Sequence, residues 1–181
     1  MKAERRYLVH FIDANPLGDP ATAVTDSTNY VRLGKDLEEY MENLNPSVET
    51  KKNIWGETSV IHSGYEVSSD VDPYLIELNA AESTSNPDVP EVLGEKLMDI
   101  ANNRRTGAGC QTTKVDILID GGGRVIWAYR ENVYVVPNSI GGDTSGISVP
   151  FTIHNNGGRV KGNFDLKTKT FTVPTTVDLN K

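Results

Sequence analysis

The residues that could do chemistry in this chain are few and badly placed for it. There are three histidines, His10, His62 and His154, and one cysteine, Cys110. No two histidines have the close spacing of a metal site, and a single thiol cannot complete one. His154 continues the polar side of an alternating run, so it reads as solvent-facing. A catalytic cysteine needs a histidine beside it. Cys110 follows Gly109 just after a helical pattern and reads as a structural or idle thiol. The carboxylates are numerous but scattered, and no acid/base pair can be nominated among them. Two glycine-rich stretches, Gly121-Gly122-Gly123 and Gly141-Gly142-Asp143, have the composition of phosphate loops. A phosphate loop should open a helix whose amides hold the anion. Both stretches lead instead into strand patterns, so they read as hairpin turns. The sequence therefore points away from an enzyme, and it implies no metal and no cofactor.

The elements that would carry these residues are mostly strands. From Lys114 to Val173 the chain is almost all strand and turn. Ile147, Val149, Phe151 and Ile153 fall on one side, with Ser148, Pro150, Thr152 and His154 on the other. Val160, Phe164 and Leu166 repeat the pattern against Arg159, Lys161, Asn163 and Asp165. Alternation of period two predicts an antiparallel sheet with one buried face. Asp120-Gly121, Asn156-Gly157 and the corner from Asp165 to Thr168 supply its turns. Trp127 and Tyr129 share a strand face with Val125 and read first as core.

Upstream, Tyr7 to Ile12 is a strand pattern with Tyr7, Val9 and Phe11 on one side, and Tyr30 to Leu33 is a short strand. Residues 13–29 are polar, with Pro16, Gly18 and Pro20, and read as a loop or arm. Asp36 to Leu44 is ambiguous. Leu37, Tyr40, Met41 and Leu44 have helical spacing, yet the segment is short for a helix. Ser47 to Ile54 and Thr58 to Ile61 read as two strands of an unusually polar hairpin around Gly56. Such a hairpin either projects into solvent or packs on another chain, and Trp55 within it is covered either by its own loop or by a subunit contact. Ser63 to Asp72 reads as loop, Tyr74 to Leu78 as a possible strand, and Glu82 to Asp88 as a connection. One helix is predicted over about 88–105. Asp88 and Glu91 form a capping box at its start, Val89, Leu93, Leu97 and Ile100 its apolar stripe, and Gly107 its left-handed end. The stripe must be buried on the sheet.

The chain has 181 residues, 18 Lys plus Arg, 25 Asp plus Glu and a formal net charge of −7. One domain over 1–181 is expected. The charge disfavours nucleic acid or an anionic membrane as a bound partner. One cysteine forms no intrachain disulfide, and no run suggests a signal peptide or a membrane span. The protein is expected to be soluble and made in a cytoplasm.

The ordered motifs resemble the major tail tube proteins of long-tailed phages and prophages of Gram-positive bacteria. VVPNSIGGDTSGISVPFTIHNNGGRVKGNFD, with KTKTFT after it, is similar to that family's C-terminal part. YVRLGKDLEE resembles its entry segment and NPSVETKKNIWG its long hairpin. Val71-Asp72-Pro73-Tyr74 precedes the helix, and LMDIANNR is similar to its end. One departure is Leu78 to Val89, longer than usual before the helix. The resemblance implies a mainly β fold, an antiparallel sandwich or small barrel flanked by one helix. It implies a structural protein of the virion tail, made in the host bacterial cytoplasm. Six copies would form a ring, and rings would stack into a tube conducting DNA from capsid to cell without specific binding. The other partners implied are the tape-measure, tail terminator and distal tail proteins, and no membrane. The arm 13–29 and the hairpin 47–61 become assembly elements, with Lys51, Lys52, Trp55 and Tyr65 as self-assembly residues. The resemblance favours a strand at 36–44. A tube protein of a contractile injection system is an alternative. So is a β-sandwich binding module for carbohydrate or another ligand, using Trp55, Trp127 and Tyr129.

Overall fold

The computed structural model describes residues 4–14, 17, 30–35, 37–80, 88–90 and 92–174, with backbone alone for 78–80 and 88–90. A short 3-10 turn, Arg5–Tyr7, leads into β1 (Leu8–Asp13) and β2 (Tyr30–Arg32). β3 (Pro46–Lys52) and β4 (Thr58–Tyr65) form a hairpin. β5 (Ser68–Val71), β6 (Leu78–Ala80) and β7 (Asp88–Pro90) precede the helix α1 (Val92–Asn103). After a 3-10 turn at Gly107–Cys110 come β8 (Gln111–Ile119), β9 (Val125–Pro137), β10 (Gly141–Asp143) and β11 (Gly146–Ser148). β12 (Phe151–Asn155), β13 (Val160–Asp165) and β14 (Thr170–Thr172) complete the described chain. The fold is mainly β, a curled antiparallel half-barrel with one helix.

The long strand β9 organises the sheet, because it branches. β8 runs along one of its edges, from Gln111 opposite Tyr134 to Ile119 opposite Val125. On its other edge the first half pairs with β13 and the second half with β12. β12 carries β5, β13 carries β14, and beyond β8 lie β1 and β2. Side chains alternate along a strand and cross-strand partners share a face. Residues of β1, β8 and β9 therefore enter two cores, one on each face. Ile12, Val133 and Val135 join Phe151, Ile153 and Val71 on the first face, where Leu93, Leu97 and Ile100 of α1 cover them. Val9, Phe11, Val115, Ile117 and Ala128 lie on the second face, covered by Phe164 of β13 and Phe171 of β14. Gly162 is required there, since a Cβ on it would come within 2.4 Å of the Phe171 ring.

The turn between β8 and β9 is built by Asp120, whose Oδ1 accepts from the amides of Gly122 and Arg124, both at 2.9 Å. Gly123 supplies the positive φ of +83°. The glycine run is thus a hairpin turn. The Asp165 corner uses the same device, accepting from the amides of Lys167 and Thr168.

Several expectations need correction. The helix spans Val92–Asn103, not 88–105. The backbone of Asp88–Pro90 is extended and pairs with Leu78–Ala80, which removes Asp88 as an N-cap; Glu91 lies outside the described residues. At its other end Arg104, φ +50°, takes the left-handed position expected of Gly107. Its closing bond runs from the Arg105 amide to the Ile100 carbonyl at 3.1 Å. Ser63 to Asp72 is not a loop: Ser63 to Tyr65 extend β4, and Ser68–Val71 is β5, paired with β12. Tyr74 to Glu77 form no strand beyond a bridge at Leu75 to Ser148, and Leu78 opens β6. Residues 37–44 are neither helix nor strand, with one bridge, Asn43 to Ser68. Met41 and Leu44, which a helical stripe would bury, are exposed at 60% and 52%. Ile147 is also exposed, because β11 forms a ladder with β10 in a two-stranded ribbon apart from the main sheet, while Val149, Phe151 and Ile153 are buried. Of the arm 13–29, Asp13 ends β1, and Ala14 and Leu17 are buried in the first core, unlike a solvent loop. Residues 15–16 and 18–29, like Asp36 and 81–87, lie outside the described residues.

Candidate assembly surface and its anchor

The hairpin β3–β4 stands out from the body of the chain. All of Pro46–Lys52 is exposed, and so is all of β4 but the half-buried Gly64. Its register places Val48 opposite His62, Thr50 opposite Val60 and Lys52 opposite Thr58 on one face. Glu49 opposite Ile61 and Lys51 opposite Ser59 form the other. A bulge at Ser63 shifts the register near the base, so that Pro46 meets Tyr65. Pro46 lies two residues from Val48 and so on its face, and the Tyr65 ring meets His62 edge-on at 4.5 Å. One face thus carries Tyr65, His62, Val48 and Val60 as an apolar and aromatic stripe. The other carries Ile61 among polar residues, with Lys51 paired to Glu49 at 3.4 Å.

The tip is pre-formed. Asn53 Oδ1 accepts from the amides of Trp55, at 3.0 Å, and Glu57, at 2.9 Å. Asn53 Nδ2 donates to Glu57 Oε2 at 2.6 Å, and Gly56 takes φ +81°. This turn leaves Ile54 at 95% and Trp55 at 81% exposure. Trp55 is therefore not buried under its own loop. Of the four residues expected in self-assembly, Lys52 and Tyr65 share the apolar face, Trp55 crowns the tip, and Lys51 lies on the opposite face. The hairpin is also neutral. Lys51 and Lys52 offset Glu49 and Glu57, so the whole −7 resides in the rest of the chain.

A buried chain of charges lies at the hairpin's root, and the sequence reading missed it. β8 places Lys114 and Asp116 on the first face, opposite Ile12 and His10 of β1. The Asp116 carboxylate can only accept, so His10 Nδ1–H donates to it, at 2.6 Å. Lys114 Nζ, with no side-chain exposure, lies 3.3 Å from Asp116 and 3.0 Å from Glu42. Asn155 donates to Glu42 at 3.1 Å and to Glu131 at 2.9 Å, and Arg159 pairs with Glu131 at 3.0 Å. The ring of Tyr40 lies 4.4 Å from that of His10. Burial alone would lower the pKa of Lys114, but Asp116, Tyr40 and Glu42 outweigh it and hold it above the ordinary lysine value. Burial would raise Asp116, but the bond from His10 and the charge of Lys114 hold it below the usual carboxylate range. Burial raises the Tyr40 phenol. The members come from segments scattered between residues 10 and 159, which hid them. One signal was available: Lys114 and Asp116 alternate with Val115 and Ile117 in a strand expected at the sheet's centre.

The remaining candidates are dispersed. Cys110 is buried, its thiol donates to the Arg105 carbonyl at 3.2 Å, and burial raises its pKa, all of which disfavour a nucleophile. His62 is on the hairpin, His10 in the buried chain, and His154 exposed on β12. Among the described residues no group of three His, Cys, Asp or Glu could hold a metal ion, and no helix is long and apolar enough to cross a membrane. Trp127 and Tyr129 are half-buried rather than core, with ring centroids 5.5 Å apart. The Arg159 guanidinium sits 4.7 Å from the Tyr129 centroid.

No protein-family model matches the chain, and no curated protein matches it. Among solved structures it is similar to the tube-terminating cap of the anti-feeding prophage. The identity is 9% and the TM-score 0.46, over 89% of this chain and 91% of that one. It is similar to a chain of the extended sheath–tube complex of an extracellular contractile injection system, at 10% identity and TM-score 0.46, over 88% and 90%. A sheath/tube terminator of such a system gives 10% and 0.45, over 90% and 98%. At these scores the likeness is one of general outline, and the case for function rests on the chain's own residues.

Proposed function

We propose that this protein is a structural subunit of a phage-tail-like tube, and that it joins further copies of itself through the β3–β4 hairpin. The observation that carries the reading is the hairpin's tip, with Ile54 and Trp55 held in water by an ordered turn. A two-stranded hairpin is marginal alone in water. One that is ordered, apolar on one face and crowned by an exposed tryptophan fits a protein contact, where such anchors carry most of the binding energy. Its neutrality lets it approach a second acidic copy without repulsion.

The ring of six, the stacked tube and the passage of DNA follow from the sequence resemblance. The mechanism they imply is passive: ring closure sets the width of the lumen, and net negative charge keeps DNA from adhering. The tape-measure, terminator and distal tail proteins are its further partners. A tube subunit in a contractile particle is the same reading in another setting. A carbohydrate module is less well supported, since Trp55 stands on the hairpin while Trp127 and Tyr129 stack on the sheet. Sedimentation velocity over rising concentration tests the reading. The expected result is a mass-action shift from monomer to ring or tube; a strictly monomeric species at every concentration would overturn it.

A further inference from the structure

The hairpin has two legs, and they meet the body differently. The leg leaving β4 passes Glu66 and Val67 straight into β5. It is fixed there by the β5–β12 ladder and by the bond from the Asn155 amide to the Val67 carbonyl at 3.0 Å. The leg entering β3 comes from residues 37–44, which belong to no ladder. Its backbone bonds at the root join Asn45 to Glu66 of the other leg and Asn43 to Ser68, where β5 begins. They extend the hairpin's pairing onto Ser68, the first residue of β5, so both legs reach the sheet along one line at its outer strand. The Asn45 side chain, donating to the Glu66 carbonyl at 2.9 Å, lies on the same line.

Beyond β5, the polar tie from the first leg to the sheet's interior is Glu42. Its Oε1 accepts from Lys114 Nζ of β8 at 3.0 Å and from Asn155 Nδ2 of β12 at 3.1 Å. It therefore spans two strands that are not neighbours, since β9 lies between them. Tyr40, two residues earlier, is buried beside it, while Met41 and Asn43 point out. A ladder attached along one line at β5 can swing about that line. One held also at a second point, over β9, has one direction.

We propose that Glu42, held by Lys114 and Asn155, is the positioning residue that fixes the direction in which the hairpin leaves the body. This rests on the reading of the hairpin as the assembly element, and it names what aims it. A buried lysine held by carboxylates is a poor source of stability, because desolvating the charges cancels most of their attraction. Its contribution is geometric. The ammonium of Lys114 accepts one placement of Glu42, where an apolar contact would allow several. Repeated copies need that single placement, because a small change in the aim of each contact accumulates along an array.

The test measures direction without assembly. Nitroxides on Thr58→Cys in the hairpin and Lys161→Cys on the sheet, in a Cys110→Ser background, report the distance between arm and body. Every variant is measured at a concentration where sedimentation velocity shows only monomer. Glu42→Ala leaves Lys114 still paired with Asp116, so the fold is retained, and circular dichroism verifies this. The wild-type side chain should give one narrow distance distribution. Glu42→Ala should broaden it severalfold, Glu42→Gln should fall between, and Glu39→Ala, removing a nearby exposed carboxylate, should match wild type. An unchanged distribution in Glu42→Ala would overturn the proposal, and self-assembly would stand apart from it. A chain that never assembles would sink the assembly reading and leave the distances as they are.

Discussion

At the scale of the residue, the most consequential side chain is one whose setting could not be read in one dimension. Lys114 looks like an ordinary polar residue at the start of a strand. Register with β1 and β9 puts it beside Asp116, His10 and Glu42, with no exposed side-chain surface. Lys114→Met should cost about 3–5 kcal/mol in urea unfolding, because it leaves buried carboxylates without their cation. The chain also sets a pH dependence. Asp116 has a folded pKa below its unfolded value, so its contribution is complete above the ordinary carboxylate range and is lost as pH falls through the depressed value. Lys114 has a folded pKa above its unfolded one, so its contribution is complete below the ordinary lysine value and is lost as pH rises through the elevated one. Urea midpoints should therefore be level around neutrality and fall at both extremes. In Asp116→Asn the acid limb should be shallower.

At the scale of the element, local pattern was informative wherever one chain segment decides its own structure. The alternation at Val149, Phe151 and Ile153, the turn chemistry of Asp120 and Asp165, and the stripe Leu93, Leu97 and Ile100 all lie where they were expected. It misled where a distant partner decides. Ser68–Val71 is a strand because β12 pairs with it, and Asp88–Pro90 is extended because Leu78–Ala80 pairs with it. Helical spacing in 37–44 lost to Tyr40 and Glu42, which turn inward to the sheet. The hairpin's polar composition was legible; which of its faces is apolar was not, because the bulge at Ser63 brings Tyr65 alongside His62. Trp55→Ala should leave thermal stability nearly unchanged, since the side chain is almost fully in water. At a contact between copies it should cost about 2 kcal/mol, roughly a thirtyfold loss of affinity. Comparing calorimetry with sedimentation separates the two. Replacing residues 47–64 by a short turn should likewise give a folded monomer.

At the scale of the whole molecule, the two cores on opposite faces make the body self-sufficient. Among the described residues what is left over includes the hairpin, the outer edges of β14, β2 and β5, and the ribbons β10–β11 and β6–β7. An ordered apolar arm held in water is what the proposed assembly with further copies would use. Electron microscopy of concentrated protein, negatively stained, tests this most directly, with wild type beside the Ile54→Ser, Trp55→Ser double variant. The account predicts rings or hollow tubes of uniform width from wild type, and isolated folded particles from the variant. Tubes from both in equal number, or particles without order from wild type, would contradict it.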